Sequence, residues 1–187
     1  MTLLIAGILL WAAVHLPKAL APGARARLVA RLGENAWRGI VSLLLLGSVA
    51  LMVAGYRAAT PVDVYRTPAT LADAGMVVTT VAMVLFVASA LPNNARRHLR
   101  HPQLLSVVLW AVGHLLAGGG RRDLLLFGGL GLWAILEMLA INRRDGDWQP
   151  PGPVPRRADV IVLVAGLGLA AIAVAVHEWL GVRIVSG

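Results

Sequence analysis

Apolar residues run along this chain in long stretches, separated by short polar connections. Crossing a bilayer takes about 20 mostly apolar residues. Six stretches qualify, at residues 2–20, 38–56, 71–91, 103–120, 124–142 and 159–180. The pattern predicts an all-α protein, a polytopic transmembrane helix bundle of about six spans forming a single domain over residues 1–187. The first stretch ends at His15-Leu16-Pro17-Lys18, has no basic residue ahead of it and leads into no soluble domain. It is therefore expected to be a retained helix rather than a signal peptide. Gly118-Gly119-Gly120 closes the fourth stretch early. The proline-rich connection 143–157 is expected to be extended and semi-rigid, joining the last helix to a five-helix core.

Composition agrees with a membrane protein. Of the 187 residues, 58% are apolar and only 14% charged, against about 45–50% and about 25% in an average globular domain. Without cysteine there are no disulfides, thiolate metal ligands or iron–sulfur clusters, and no C-x-x-C-H site for covalent haem. The net charge of +8 would suggest nucleic acid in a soluble protein. Here the arginines lie between apolar runs, which indicates topology and not nucleic acid. Alternate connections carry twelve basic residues (Lys18, Arg25, Arg27, Arg31, Arg38, Arg96, Arg97, Arg100, Arg143, Arg144, Arg156, Arg157) against five (Arg57, Arg66, Arg121, Arg122, Arg183). The positive-inside rule places the twelve in the cytoplasm and both termini outside; low lysine with abundant arginine, alanine and glycine suggests a bacterial genome, and so a multi-pass protein of a bacterial inner membrane.

Ionisable residues within a span are costly and mark candidate functional sites. They are His15, His114, Glu137 and the pair His177-Glu178. Asp73 and Asp159 lie at helix starts, where the helix dipole favours them. One local pattern recurs, as Trp11-Ala12-Ala13-Val14-His15 and again as Trp110-Ala111-Val112-Gly113-His114. Residues four apart share a helix face, so each Trp ring is expected to cover the turn before its His. Two imidazoles on different spans, each beside an indole and small residues, suit a flat aromatic cofactor such as haem, with His15 and His114 as axial metal ligands. The competing reading makes each a core histidine bonded to a neighbouring helix. Depth along the spans does not separate His114 from His101 as the partner of His15. Glu137 is expected to snorkel inward or to bond a neighbouring helix. His177-Glu178 with Trp179 reads as the outer interface, and Trp37 and Trp148 as the inner one. Inner arginines such as Arg38 hold topology, and one or two can pair with cofactor carboxylates.

The residues Arg100-His101-Pro102, Trp110-Ala111-Val112-Gly113-His114-Leu115-Leu116 and Leu126-Phe127-Gly128-Gly129 followed by Trp133 resemble the NnrU family of bacterial membrane proteins. His15 and the stretch Trp37-Arg38-Gly39-Ile40 with Ser42-Leu43 extend the resemblance over nearly the whole chain. Gly118-Gly119-Gly120 stands where that family carries Asn-Gly-Asp. The resemblance implies a link to denitrification, in the handling of nitrite and nitric oxide. NnrU proteins are in turn similar to plant 15-cis-zeta-carotene isomerase, which uses non-covalent haem b. That similarity implies haem ligation by His15 and His114, with His101 as a nearby functional residue or replacement ligand.

The expected function is thus that of an integral membrane haem b protein. It would be either a redox-gated isomerase of a lipid-soluble polyene or a nitrogen-oxide-linked haem protein. Its cofactor contacts would come from His15, His114, His101, Trp11, Trp110 and Arg38, and its partners would be the lipid bilayer, a hydrophobic small molecule and a membrane redox partner. Two alternatives remain: an S-adenosylmethionine-dependent membrane methyltransferase working around Asn93, Asn94, His98 and His101, or a non-enzymatic assembly factor.

Overall fold

A computed structural model describes residues 1–181, apart from the side chain of Lys18. Arg183, used above to balance charge, lies outside the described residues. The described residues are mostly helical. In order it forms α1 (Thr2–Leu20), α2 (Pro22–Leu32), α3 (Glu34–Ala58), a short strand β1 (Asp63–Tyr65), α4 (Ala69–Ala90), a 3-10 turn (Asn94–Arg97), α5 (Pro102–Leu116), the two-residue strand β2 (Gly119–Gly120), α6 (Arg121–Asp123), a π-helical stretch (Leu124–Gly128), α7 (Gly129–Asp145) and α8 (Arg156–Trp179). It divides into two compact units, Met1–Val64 with Gly120–Asp147 and Tyr65–Gly119 with Trp148–Gly187.

Among the described residues, four helices are long and apolar enough to cross a membrane: Glu34–Ala58, Ala69–Ala90, Arg121–Asp145 and Arg156–Trp179. A fifth span results if the bent pair Thr2–Pro17 and Pro22–Leu32 is counted as one. The two shortfalls from six have local causes. Ala21, at φ −137° and ψ 57° ahead of Pro22, leaves helical space and ends α1, and the region expected to be a basic connection instead winds into α2. Gly118, at φ 116°, takes the backbone out of helical space, so α5 has 15 residues. That is about 22 Å of helix, against a hydrocarbon core of about 30 Å.

In the first unit α1 lies antiparallel on α3, with Leu4 against Gly55 and Gly7 against Ser48 and Met52. A Cβ on Gly55 would stand 2.8 Å from the backbone of Leu3 and Leu4, so only glycine admits this approach. Contacts between α1 and α7 advance together, Ile8 meeting Gly129 and Trp11 meeting Trp133, so these helices run parallel. At the far end of α3, the Tyr56 hydroxyl donates to Asp123 and the Arg122 guanidinium lies 4.4 Å over the Tyr56 ring. The other oxygen of Asp123 accepts from the Gly120 amide at 2.7 Å and so fixes the start of α6.

In the second unit α4 and α5 cross where Gly75 meets Gly113. A Cβ on Gly113 would lie 2.7 Å from the Gly75 carbonyl oxygen. Gly166 of α8 receives Val84 of α4. A side-chain clamp holds the start of α8. Asn94 donates from its backbone and its amide to Asp159 (both 2.7 Å), donates to the Val154 carbonyl (2.9 Å), and accepts from the Val154 amide (3.0 Å). The proline-rich connection is irregular over 146–155, as its composition predicts, and this clamp ties down its end.

Two substitutions test this packing. Gly113→Leu forces α4 and α5 apart and is expected to cost about 2 kcal/mol or more. Asn94→Ala removes the hydrogen bonds that tie Asp159 and Val154 to the turn before α5 and is expected to loosen the start of α8. Each should lower the melting temperature in detergent by roughly 4–8 °C; a melt unchanged by either would contradict the corresponding contact.

Candidate functional site

His15 lies in the fourth turn of α1. Its Nδ1 is 2.9 Å from the carbonyl oxygen of Trp11. A carbonyl only accepts, so Nδ1 carries a proton, and in the neutral ring Nε2 is the nitrogen with the lone pair. Metal-binding imidazoles are held in this same way, one ring nitrogen fixed by a carbonyl and the other presented as a base. The Trp11 ring centre lies 4.5 Å from that of His15, as the four-residue spacing predicts. Trp133 of α7 closes the other side, 4.8 Å from His15 and edge-on to Trp11 at 5.4 Å. His15 thus sits between two indoles from different helices.

The indole nitrogens of Trp11 and Trp133 are buried and have no hydrogen-bond partner. Trp133 as a whole is 6% exposed. One turn further along α7, Glu137 is also 6% exposed. It does not snorkel to the surface; it joins the buried side of α7 together with Gly131, Trp133 and Ala134.

The second copy of the pattern builds a similar arrangement in the second unit. His114 Nδ1 lies 2.8 Å from the Trp110 carbonyl oxygen, and the two rings are 4.9 Å apart. His177, read from sequence as an interface marker, does the same with Ala173 at 2.7 Å and brings its ring centre to 6.3 Å from that of His114. Trp179 is 83% exposed, as a belt residue should be. Sequence reasoning missed two participants, His177 beside His114 and Trp133 beside His15. Trp133 carried a weak signal, since it precedes Glu137 by four residues on one helix face.

Other predicted residues fall elsewhere. Arg38 is exposed, and its Nε donates to Glu34 at 3.0 Å, an i,i+4 pair on α3. His101 occupies the N-cap position of α5, ahead of Pro102. Asn93 and Asn94 serve the backbone: Asn93 donates to Ala88 and Leu91 (2.7 Å each) and accepts from the Arg96 amide, while Asn94 forms the clamp on α8. Among the described residues, no group of three or more His, Cys, Asp or Glu side chains is placed to hold a metal ion. Metal binding here would have to rest on one or two imidazoles, and an iron porphyrin asks no more than that of its axial ligands.

No curated protein and no solved structure matches this chain. The family model described as NnrU protein matches residues 3–184. With nearly its full length covered, the chain belongs to the NnrU protein family.

Proposed function

We propose that this protein is an integral membrane haem b protein. In this reading His15 and His114 are axial ligands, Trp11, Trp110 and His101 are supporting residues, Arg38 is left to its pair with Glu34, and the protein is either a redox-gated isomerase of a lipid-soluble polyene or a haem protein linked to the handling of nitrite and nitric oxide. One observation carries it. His15 presents Nε2 as a base between two indoles whose buried N–H groups have no acceptor within the protein. Leaving a buried donor unpaired costs about 1–3 kcal/mol, and two such donors beside one oriented imidazole suit a ligand that supplies acceptor groups. A bound haem would bring carboxylates and a flat apolar ring, and the residues present fit such a group. When bound, haem supplies a one-electron redox centre. The protein's own part is to fix the imidazole tautomer through the i−4 carbonyl, to keep water out with indole rings, and to admit a lipid-soluble partner from the bilayer. The methyltransferase reading draws no support from Asn93 and Asn94, which are engaged by the backbone and Asp159.

The finer topology belongs to the same proposal: six spans, α1 and α5 included, with both termini outside in a bacterial inner membrane and the arginine-rich connections in the cytoplasm. Helix directions within each unit support it. Alternating spans require α1 antiparallel to α3 and parallel to α7, and α4 antiparallel to α5. Those are the directions the Leu4–Gly55, Ile8–Gly129 and Gly75–Gly113 contacts give.

Three measurements test this reading. Detergent-purified protein should show a Soret band that sharpens on dithionite reduction and a haem b pyridine haemochrome, and His15→Ala and His114→Ala should each lose most of that absorbance. Colourless protein after growth with a haem precursor would end the haem reading. Trp133→Phe removes an unpaired donor, so the haem-free melting temperature should move by no more than about 4 °C while haem retention falls; unchanged retention would remove Trp133 from the site. Because the chain lacks cysteine, single cysteines at positions 97 and 147 should label only from the cytoplasmic side and one at position 60 only from outside. The opposite pattern would invert the topology.

A further inference from the structure

The connection after α1 was expected to be a plain basic loop. It is a helix, and its geometry is that of a membrane-surface element. The segments Thr2–Pro17 and Pro22–Leu32 meet at 90°. If α1 runs along the bilayer normal, α2 therefore lies in the plane of the membrane surface. None of its residues is buried. Its inner side, Arg25 and Val29, is half-covered, and Arg25 reaches Glu34 at 3.7 Å. The outward side carries Arg27, Leu28, Arg31 and Leu32, all exposed. Arg27 and Arg31 are four residues apart and share a face, and neither has a carboxylate partner among the described residues. With Ala24 and Leu28 they line one shallow hollow.

We propose that α2 is an interfacial helix whose Arg27 and Arg31 together bind the phosphate of an anionic phospholipid, while Leu28 and Leu32 enter the acyl boundary. Three features point to that occupant. Two guanidiniums beside one hollow make a fork for a phosphate. The exposed leucines, 43% and 47% accessible, are suited to the lipid beneath it. The bend brings both features to the level where headgroups lie. A soluble anion would use the arginines and leave the leucines in water. The inference rests on α1 crossing the bilayer and makes no use of haem.

The experiment takes the full chain into nanodiscs of pure phosphatidylcholine, or of phosphatidylcholine with phosphatidylglycerol. A spin label on Leu28→Cys should be accessible to oxygen and shielded from a water-soluble nickel chelate. A label at Gly146→Cys should show the reverse. In native mass spectrometry the protein should keep phosphatidylglycerol in preference to phosphatidylcholine. The double variant Arg27→Gln/Arg31→Gln should lose that preference roughly tenfold or more, while Arg57→Gln/Arg66→Gln, which removes the same charge elsewhere, should keep it. A Leu28 label as wet as the Gly146 label would overturn the interfacial placement. Equal lipid retention by both double variants would overturn the arginine site, and so would millimolar inorganic phosphate displacing the lipid from wild type. Neither result would alter the haem spectrum, so this inference and the haem reading can fail separately.

Discussion

Inside a bilayer an apolar side chain gains almost nothing by leaving lipid for the side of another helix. Helices hold together there only where their backbones come close enough for dispersion contacts and weak hydrogen bonds to accumulate. Each unit of this protein is organised around such an approach. In the first, Gly55 lets α3 reach the start of α1, and Gly7 repeats the contact one face-repeat later. In the second, Gly75 and Gly113 bring α4 and α5 together backbone to backbone. The large exposed leucines and valines of α3, α4, α7 and α8 are the complement of this arrangement. They face lipid, and the buried core is rich in small residues, alanine, serine and glycine, with Leu4, Met52, Trp133 and Val162 among the few large ones.

These approaches set the positions of the chemically capable residues. Gly113 immediately precedes His114, so the tightest point of the α4–α5 crossing determines where that imidazole goes. On α1, the contacts of Gly7 with α3 and Ile8 with α7 fix the rotation of the helix, and that rotation turns Trp11 and His15 onto Trp133. Polar clamps do the rest. Tyr56 with Asp123 holds the turn into α6, and Asn94 with Asp159 holds the entry to α8.

The three described histidines within helices follow one rule: each gives its Nδ1 proton to the carbonyl four residues back. That shared habit has a simple cause. A helix interior offers one acceptor within reach of a histidine ring, the i−4 carbonyl, whose second lone pair is unused by the ladder. The consequence is chemical as well as structural, since the outward nitrogen is left as the base. Whatever these rings bind, they meet it with Nε2 leading.

The sequence by itself determined the helical class, the membrane setting, the approximate positions of the long spans and the pairing of Trp11 with His15 and of Trp110 with His114. All of these depend on local periodicity: about 20 apolar residues make a span, and four residues make a turn and a shared face. Only the tertiary structure decided that Trp133 completes the surroundings of His15, that His177 faces His114 and that Asn94 is a clamp. Each of these depends on helix rotation and register, which one-dimensional hydropathy does not encode, because an apolar residue facing lipid and one facing a helix look alike in sequence. The winding of residues 22–32 into a separate helix escaped the span pattern for a related reason. A short stretch of alternating arginine and alanine is too polar to read as a span, and its separation from α1 follows from Pro22, which holds Ala21 out of the helix and starts α2.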